Sequence, residues 1–273
     1  WYVIIGPPGA GKTTALLNSG LRFPFADQSI KGVGGTRNLD FWFSDEAAMV
    51  DTAGRYTTQD SDASVDNEGW RSFLKTLKKS RPLSPINGVI VAIGVDELLR
   101  SDRSALDRHA SLVRRRLTEV RSTLEVQVPV YLLLTKADLI AGFVEYYDDL
   151  DVEGRRAVLG ATLPGDLIKP SVDDVVVEFD RLVMAQGDRQ AKRLFEEVDN
   201  SRRSLILGFP TQLAALRSRL ARFVDGAFIS GDQPSGQFRG FYFTSGVQEG
   251  APLDRILAGV ADAFQAGGMA TRG

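Results

Sequence analysis

Cysteine is absent from this chain of 273 residues. Disulfide scaffolds and thiolate metal sites are thereby excluded, and a reducing compartment fits the composition. Histidine is nearly absent too. His109 stands alone in a helix-patterned segment, away from every motif described below, so a surface or boundary role is expected for it. Long apolar runs are also missing. The longest, residues 88–95 and 128–134, fall far short of the roughly 18 residues that span a bilayer, and no signal peptide precedes the first strand. Neither sign of charge dominates: 33 Lys and Arg face 35 Asp and Glu, for a net charge of −2. No global basic field invites nucleic acid. Internal repeats and low-complexity tracts are lacking as well.

What is present is apolar content of 43%, enough for a sizeable core in one large domain or one domain plus a smaller one. The chain starts at Trp1 rather than Met and enters an apolar strand at once (Tyr2-Val3-Ile4-Ile5). That start reads as a piece cut from a longer protein, so the missing membrane segment is a property of the piece. Residues 1–5 form a buried-type strand and 13–19 a helix; 21–36 read as a loop punctuated by Pro24, Gly32, Gly34 and Gly35. Two short apolar runs, 39–43 and 47–50, are too close for a helical crossover and should form an antiparallel hairpin. Residues 54–67 are polar and read as a mobile stretch. A helix over 67–80 turns Trp70, Phe73, Leu74 and Leu77 inward. Strands follow at 86–93 and 128–134, with an amphipathic helix over 104–124 between them. Alternating apolar strands and helices argue for an α/β fold with a mainly parallel sheet covered on both faces. From about residue 139 helical stretches take over (151–159, 173–199 and 211–227, with Pro210 near a helix start), before a strand at 240–244 and a closing helix at 253–264. The expected division is a core over 1–139, a mainly helical insertion over 140–236, and a return to the core over 237–273.

The chemistry is concentrated at strand ends. Gly6-Pro7-Pro8-Gly9-Ala10-Gly11-Lys12-Thr13 matches the phosphate-loop pattern in full and sits between a strand and a helix. At ordinary glycine usage such a match arises by chance on the order of once per hundred chains this size; the strand–helix context sharpens it. Backbone N–H groups from Gly6 to Thr14 would face phosphate oxygens, Lys12 would reach the β- and γ-phosphates, and the Thr13 hydroxyl would bind Mg²⁺. Asp51-Thr52-Ala53-Gly54 closes the next strand. Asp51 there can hold Mg²⁺ through water, and the Gly54 N–H can meet a γ-phosphate; on its own, D-x-x-G is usually only a turn. Thr36 precedes the second strand and can place its hydroxyl on Mg²⁺, the plain alternative being a local turn bond. Thr135-Lys136-Ala137-Asp138 ends the 128–134 strand. Its carboxylate can accept from guanine N1–H and the 2-amino group, which adenine lacks, or it can simply cap a helix.

These motifs, in this order and with antiparallel second and third strands, look like a Ras-type GTPase core and P-loop NTPase. Three stretches, Trp1 to Thr14, Gly32-Val33-Gly34-Gly35-Thr36-Arg37-Asn38 and Asp51-Thr52-Ala53-Gly54-Arg55-Tyr56-Thr57-Thr58-Gln59, more narrowly resemble the cytoplasmic NTPase domain of the TssM (IcmF) family. Gly240-Phe241-Tyr242-Phe243-Thr244-Ser245-Gly246 is similar to that family as well. The resemblance implies a cytoplasmic domain between membrane helices of the inner-membrane component of bacterial type VI secretion systems. It further implies GTP or ATP with Mg²⁺ as ligand, and partners among the other inner-membrane component, baseplate proteins and a cytoplasmic regulator. Ser245 would lie where small GTPases place a loop against the base.

The pattern also departs from that family resemblance. Ras-type enzymes carry a water-orienting glutamine directly after the D-x-x-G glycine, whereas Arg55 stands here. Arg55 can stabilise γ-phosphoryl charge but is a poor base; Gln59 or Asp60 would have to swing in, and Arg37 is another source of positive charge. Slow turnover is expected, with nucleotide state acting as a switch or assembly signal; the competing reading is a scaffold for which nucleotide is only structural. Thr135 replaces the commoner asparagine of the guanine motif and leaves GTP against ATP open. Outside the motifs, the basic clusters Lys75, Lys78, Lys79, Arg81 and Arg114-Arg115-Arg116 read as solvated faces, with anionic lipid as the sharper alternative. Of Phe41, Trp42 and Phe43, at least one must face outward from its strand.

Overall fold

The computed structural model describes residues 1–24, 39–54, 63–165, 167, 169–231 and 235–246. The elements are β1 (Tyr2–Ile5), α1 (Lys12–Leu17), β2 (Leu39–Phe43), β3 (Ala48–Thr52), α2 (Ala63–Ser80), β4 (Gly88–Gly94), α3 (Val95–Arg100), α4 (Arg103–Leu124) and β5 (Pro129–Thr135). There follow a 3₁₀ turn (Ala137–Leu139), α5 (Phe143–Tyr147), α6 (Val152–Arg156), β6 (Leu159–Thr162), α7 (Val172–Glu196), α8 (Asn200–Ala214), α9 (Arg217–Val224), a π turn (Asp225–Ile229) and β7 (Gln237–Phe243). One sheet in the order β2-β3-β1-β4-β5-β7-β6 joins all seven strands. The inner pairs, β3 with β1, β1 with β4, β4 with β5 and β5 with β7, are parallel; β2 and β6 pair antiparallel at the two edges. The carboxyl ends of five strands therefore lie side by side along one rim, the end of an α/β sheet where ligands sit.

Side-chain alternation sends the strands into two apolar clusters. Val3, Ile5, Val50, Val89, Val91, Ile93, Val130, Leu132, Leu134, Phe241 and Phe243 join one large cluster with residues of α2, α3, α4, α7, α8 and α9. The expected inward set of α2, Trp70, Phe73, Leu74 and Leu77, is buried in it. The other face is more thinly covered among the described residues: Ile4, Trp42, Met49 and Ala92 pack with Leu16 of α1. The helix expected over 253–264 falls outside the described residues. The hairpin of β2 and β3 forms as the short spacing requires. Within β2, Trp42 is buried while Phe41 and Phe43 are each 44% exposed, stacked on one another with centroids 6.4 Å apart. They still touch the large cluster, Phe41 through Phe73 and Phe43 through Trp1.

Two features of the 140–236 stretch were not legible in the sequence. Leu159–Thr162 is a strand, where a helix over 151–159 was expected; α6 stops at Arg156. Four residues containing Gly160 carry no periodicity, and β6 exists because β7 offers it an antiparallel partner. The second is Pro210, expected near a helix start but lying inside α8. A mid-helix proline leaves the carbonyl four residues earlier without its N–H donor. That carbonyl belongs to Ile206, and Gln190 of α7 supplies the missing donor: its Nε2 reaches Ile206 O at 3.2 Å and Leu207 O at 2.7 Å. A neighbouring side chain thus restores the helix ladder that the proline breaks.

Gln190→Ala is expected to destabilise the protein by about 1 kcal/mol, the cost of leaving a part-buried carbonyl unpaired. In a Pro210→Ala background, where the backbone donor returns, the same substitution should cost clearly less. Urea denaturation of the two single variants and the double variant measures the difference.

Candidate functional site

The loop between β1 and α1 turns through Gly9 and Gly11, whose φ values are 72° and 71°, a conformation that L side chains rarely adopt. Lys12 folds back beneath this turn. Its Nζ donates to Gly6 O at 2.9 Å and Pro7 O at 3.1 Å, and the residue is only 7% exposed. Burial pushes the Lys12 ammonium below the usual lysine range, an effect the charge on Asp51 opposes. A cation held this far from water is a strong attractor for an anion placed in the loop.

Thr13 and Asp51 meet beside Lys12. The Thr13 hydroxyl donates to Asp51 Oδ2 at 2.6 Å, so the sheet brings together two oxygens separated by 38 positions in the chain. The neighbouring Thr52 turns its own hydroxyl inward to Ile4 O at 2.8 Å, fixing the end of β3 against β1. Gly54 explains the last residue of its motif sterically. A Cβ at this position would stand 2.3 Å from Pro8 N and 2.5 Å from Pro8 Cα. Only glycine lets the two loops touch through their backbones.

Thr135, at the end of β5, is 2% exposed, and its hydroxyl donates to Ala10 O at 2.7 Å. It therefore faces the loop between β1 and α1 and ties it to the next motif. Lys136 follows with φ 58°, one of two non-glycine residues with positive φ among those described. Asp138 accepts from the Ser245 hydroxyl at 2.7 Å, and Ala137 N donates to Thr244 O at 3.0 Å, so the segment after β7 lies directly against the segment after β5. Of the expected site residues, Gly6, Gly9, Ala10, Gly11, Lys12, Thr13, Asp51, Gly54, Thr135, Lys136, Asp138 and Ser245 thus gather at the carboxyl rim, and Thr14 lies in α1. Thr36, Arg37, Arg55, Gln59 and Asp60 lie outside the described residues. Asp96 was missed by sequence reasoning: its Oδ2 pairs with Lys136 Nζ at 3.1 Å. The available signal was a carboxylate two residues after an apolar strand, at the same rim as the other motifs. His109 stands closer to the loops than its sequence position suggested. It borders a small gap together with Pro7 of the β1–α1 loop, Ala92, Ile93, Val113 and Phe223, and its Nδ1 lies 3.2 Å from Glu97 Oε1.

The family model of the IcmF-related N-terminal domain matches residues 63–273 of this sequence. The chain belongs to the IcmF-related family. It is 47% identical over 272 aligned residues to the type VI secretion system component TssM1 of Pseudomonas aeruginosa. The alignment takes in 97% of the chain but only 25% of TssM1, so the chain corresponds to about a quarter of that relative. No helix among the described residues is long and apolar enough to cross a membrane.

Because burial lowers the folded-state pKa of Lys12, its charge costs stability at neutral pH and below, and the cost fades as pH rises toward the unfolded-state value. Lys12→Met removes this pH-dependent cost but also orphans Gly6 O and Pro7 O, so the sign at pH 7 is set by the carbonyls, while the wild type is expected to gain stability relative to the variant as pH rises through the lysine range. Thr135→Val should lower stability by about 1–3 kcal/mol by orphaning Ala10 O. Calorimetric scans at several pH values check both.

Proposed function

We propose that this domain binds a nucleoside triphosphate with Mg²⁺, hydrolyses it slowly, and serves as a switch or assembly element of the type VI secretion membrane complex. The observation that carries the reading is the convergence of buried Lys12, Thr13 and Asp51 at one point of the rim. In this P-loop NTPase reading, Lys12 gives up carbonyl contacts for phosphate oxygens, which relieves the cost of its burial. The Thr13 hydroxyl and Asp51 carboxylate, 2.6 Å apart, are hard oxygen donors of the kind Mg²⁺ takes alongside phosphates and water. Bound there, Mg²⁺ would neutralise charge developing on the phosphates. Asp138, steadied by Ser245, faces the guanine edge, which favours GTP over ATP. Arg55 in place of the water-orienting glutamine underlies the slow turnover, with Thr36 and Gln59 as further candidates on the γ-phosphate side. The domain faces the cytoplasm, and its partners are the other inner-membrane component, baseplate proteins and a cytoplasmic regulator.

A second reading is favoured by one observation. Val177, Met184 and Phe195 are 47%, 72% and 91% exposed along one face of α7, as on a docking helix. In that reading the domain is a scaffold and nucleotide only supports its fold.

Lys12→Ala is expected to reduce GTP and ATP binding by at least about 100-fold, given a charge-assisted bond to each of two phosphates, and to stop secretion when introduced into the whole protein. Normal secretion with binding lost leaves the scaffold reading. Titration calorimetry with both nucleotides and Mg²⁺ also tests Asp138: Asp138→Ala should erase a GTP preference and leave ATP affinity unchanged.

A further inference from the structure

We infer that Asp96 is a positioning residue for the base end of the nucleotide site, holding Lys136 in the place where its side chain can lie along a purine. The inference rests on the nucleotide reading above and adds to it a residue outside all of its motifs.

Three observations meet at this pair. The first is the ion pair, Asp96 Oδ2 to Lys136 Nζ at 3.1 Å, with side chains only 23% and 19% exposed, between segments 40 positions apart. A half-sheltered pair of this kind is screened less than a surface one. The second is backbone conformation. Lys136 is held at φ 58°, which is uncommon for a side chain of its size. Gly94, two residues before Asp96, leaves the room the carboxylate uses: a Cβ there would stand 2.2 Å from Asp96 Oδ1 and 3.5 Å from Lys136 Cδ. Asp96 and the stem of Lys136 therefore share the space that a side chain at 94 would fill. The third is incomplete satisfaction. Asp96 Oδ1 is buried and makes no hydrogen bond among the described residues. A carboxylate placed for stability alone would be expected to satisfy both oxygens, since a buried acceptor left unpaired costs free energy.

The chemistry follows from where the pair stands. Lys136 lies between Thr135, which grips the phosphate loop, and Asp138, which meets Ser245. A lysine with its ammonium fixed at one end presents its methylene stem as a flat apolar rail, the surface a purine ring needs on one face. Released from Asp96, the same side chain regains its rotamers, and binding must order it again. Asp96 touches no substrate atom in this arrangement; it acts through Lys136.

The test is a double-mutant cycle on the 273-residue chain, with GTP and Mg²⁺ as the probe in titration calorimetry. Asp96→Ala and Lys136→Ala are each expected to weaken binding about tenfold, the size of one lost apolar contact against the ring. The double variant should be no weaker than the poorer single one, because both substitutions remove the same arrangement. Asp96→Asn, which keeps an acceptor for the ammonium, should recover part of the loss. Binding of inorganic pyrophosphate, which has no base, should be the same in all variants, a readout that general damage to the fold would move. Additive losses, or an equal loss for pyrophosphate, overturn the positioning role while the nucleotide reading stands. Absence of GTP and ATP binding by the wild-type chain overturns both.

Discussion

Parallel pairing is the constraint on which everything else in this domain depends. Two parallel strands cannot be joined by a tight turn, so each crossover must travel the length of the sheet and return to the same end. Five strands paired this way deliver five carboxyl ends to one rim. The loops after β1, β3, β4, β5 and β7 are thereby neighbours although they are spread over 240 residues. Chemistry then needs only short bonds across the rim. Thr13 meets Asp51, Thr135 meets Ala10, Lys136 meets Asp96, and Asp138 meets Ser245, each through one hydrogen bond or ion pair. A family that keeps the apolar strands and these bonds can vary the rest of the surface freely.

Much of this was legible from the chain alone, for a physical reason. Buried parallel strands are continuous apolar runs, and phosphate loops need glycines at fixed steps; both leave marks that survive without an alignment. The strands read at 86–93 and 128–134 lie at Gly88–Gly94 and Pro129–Thr135, and the hairpin of β2 and β3 and the inward face of α2 were also legible. Of the expected site residues, those described gather at one rim, and Thr135 turns its buried hydroxyl to Ala10 O, a bond that no local pattern announces. Asp96 escaped because one carboxylate after a strand carries no pattern; only a partner 40 positions away gives it meaning. β6 and Pro210 escaped for the same reason. Each breaks a local rule that a distant element repairs, β7 in one case and Gln190 in the other.

The helical stretch is bound to the core more tightly than an appended module would be. α5 has five residues and follows soon after the turn that carries Asp138. Its last carbonyls, Glu145 O and Tyr146 O, accept from Arg193 and Arg189 of α7. Arg193 is almost fully buried and also pairs with Asp148 at 2.8 Å, while Arg202 of α8 pairs with the same carboxylate. Tyr146, Tyr147, Phe143 and Phe209 pack as an aromatic group between α5 and α8. A helix this short is not stable alone; α5 depends on α7 and α8 for both its carbonyl caps and its apolar cover. The segment presenting Asp138 is therefore anchored from behind by α7 and α8.

The bridge from Gln190 to the gap made by Pro210 has a consequence for descent. The proline alone is a defect, because it breaks a helix; the amide alone is merely redundant, held to carbonyls that have other donors. Together they keep the carbonyl paired, so the two positions are free to change only in a particular order. A lineage that loses the glutamine first passes through a weakened protein, whereas one that loses the proline first does not. Among relatives, the helix-breaking proline should then rarely be found without its amide, and the amide should outlast the proline. Two positions twenty residues apart thus share one history because they share one carbonyl.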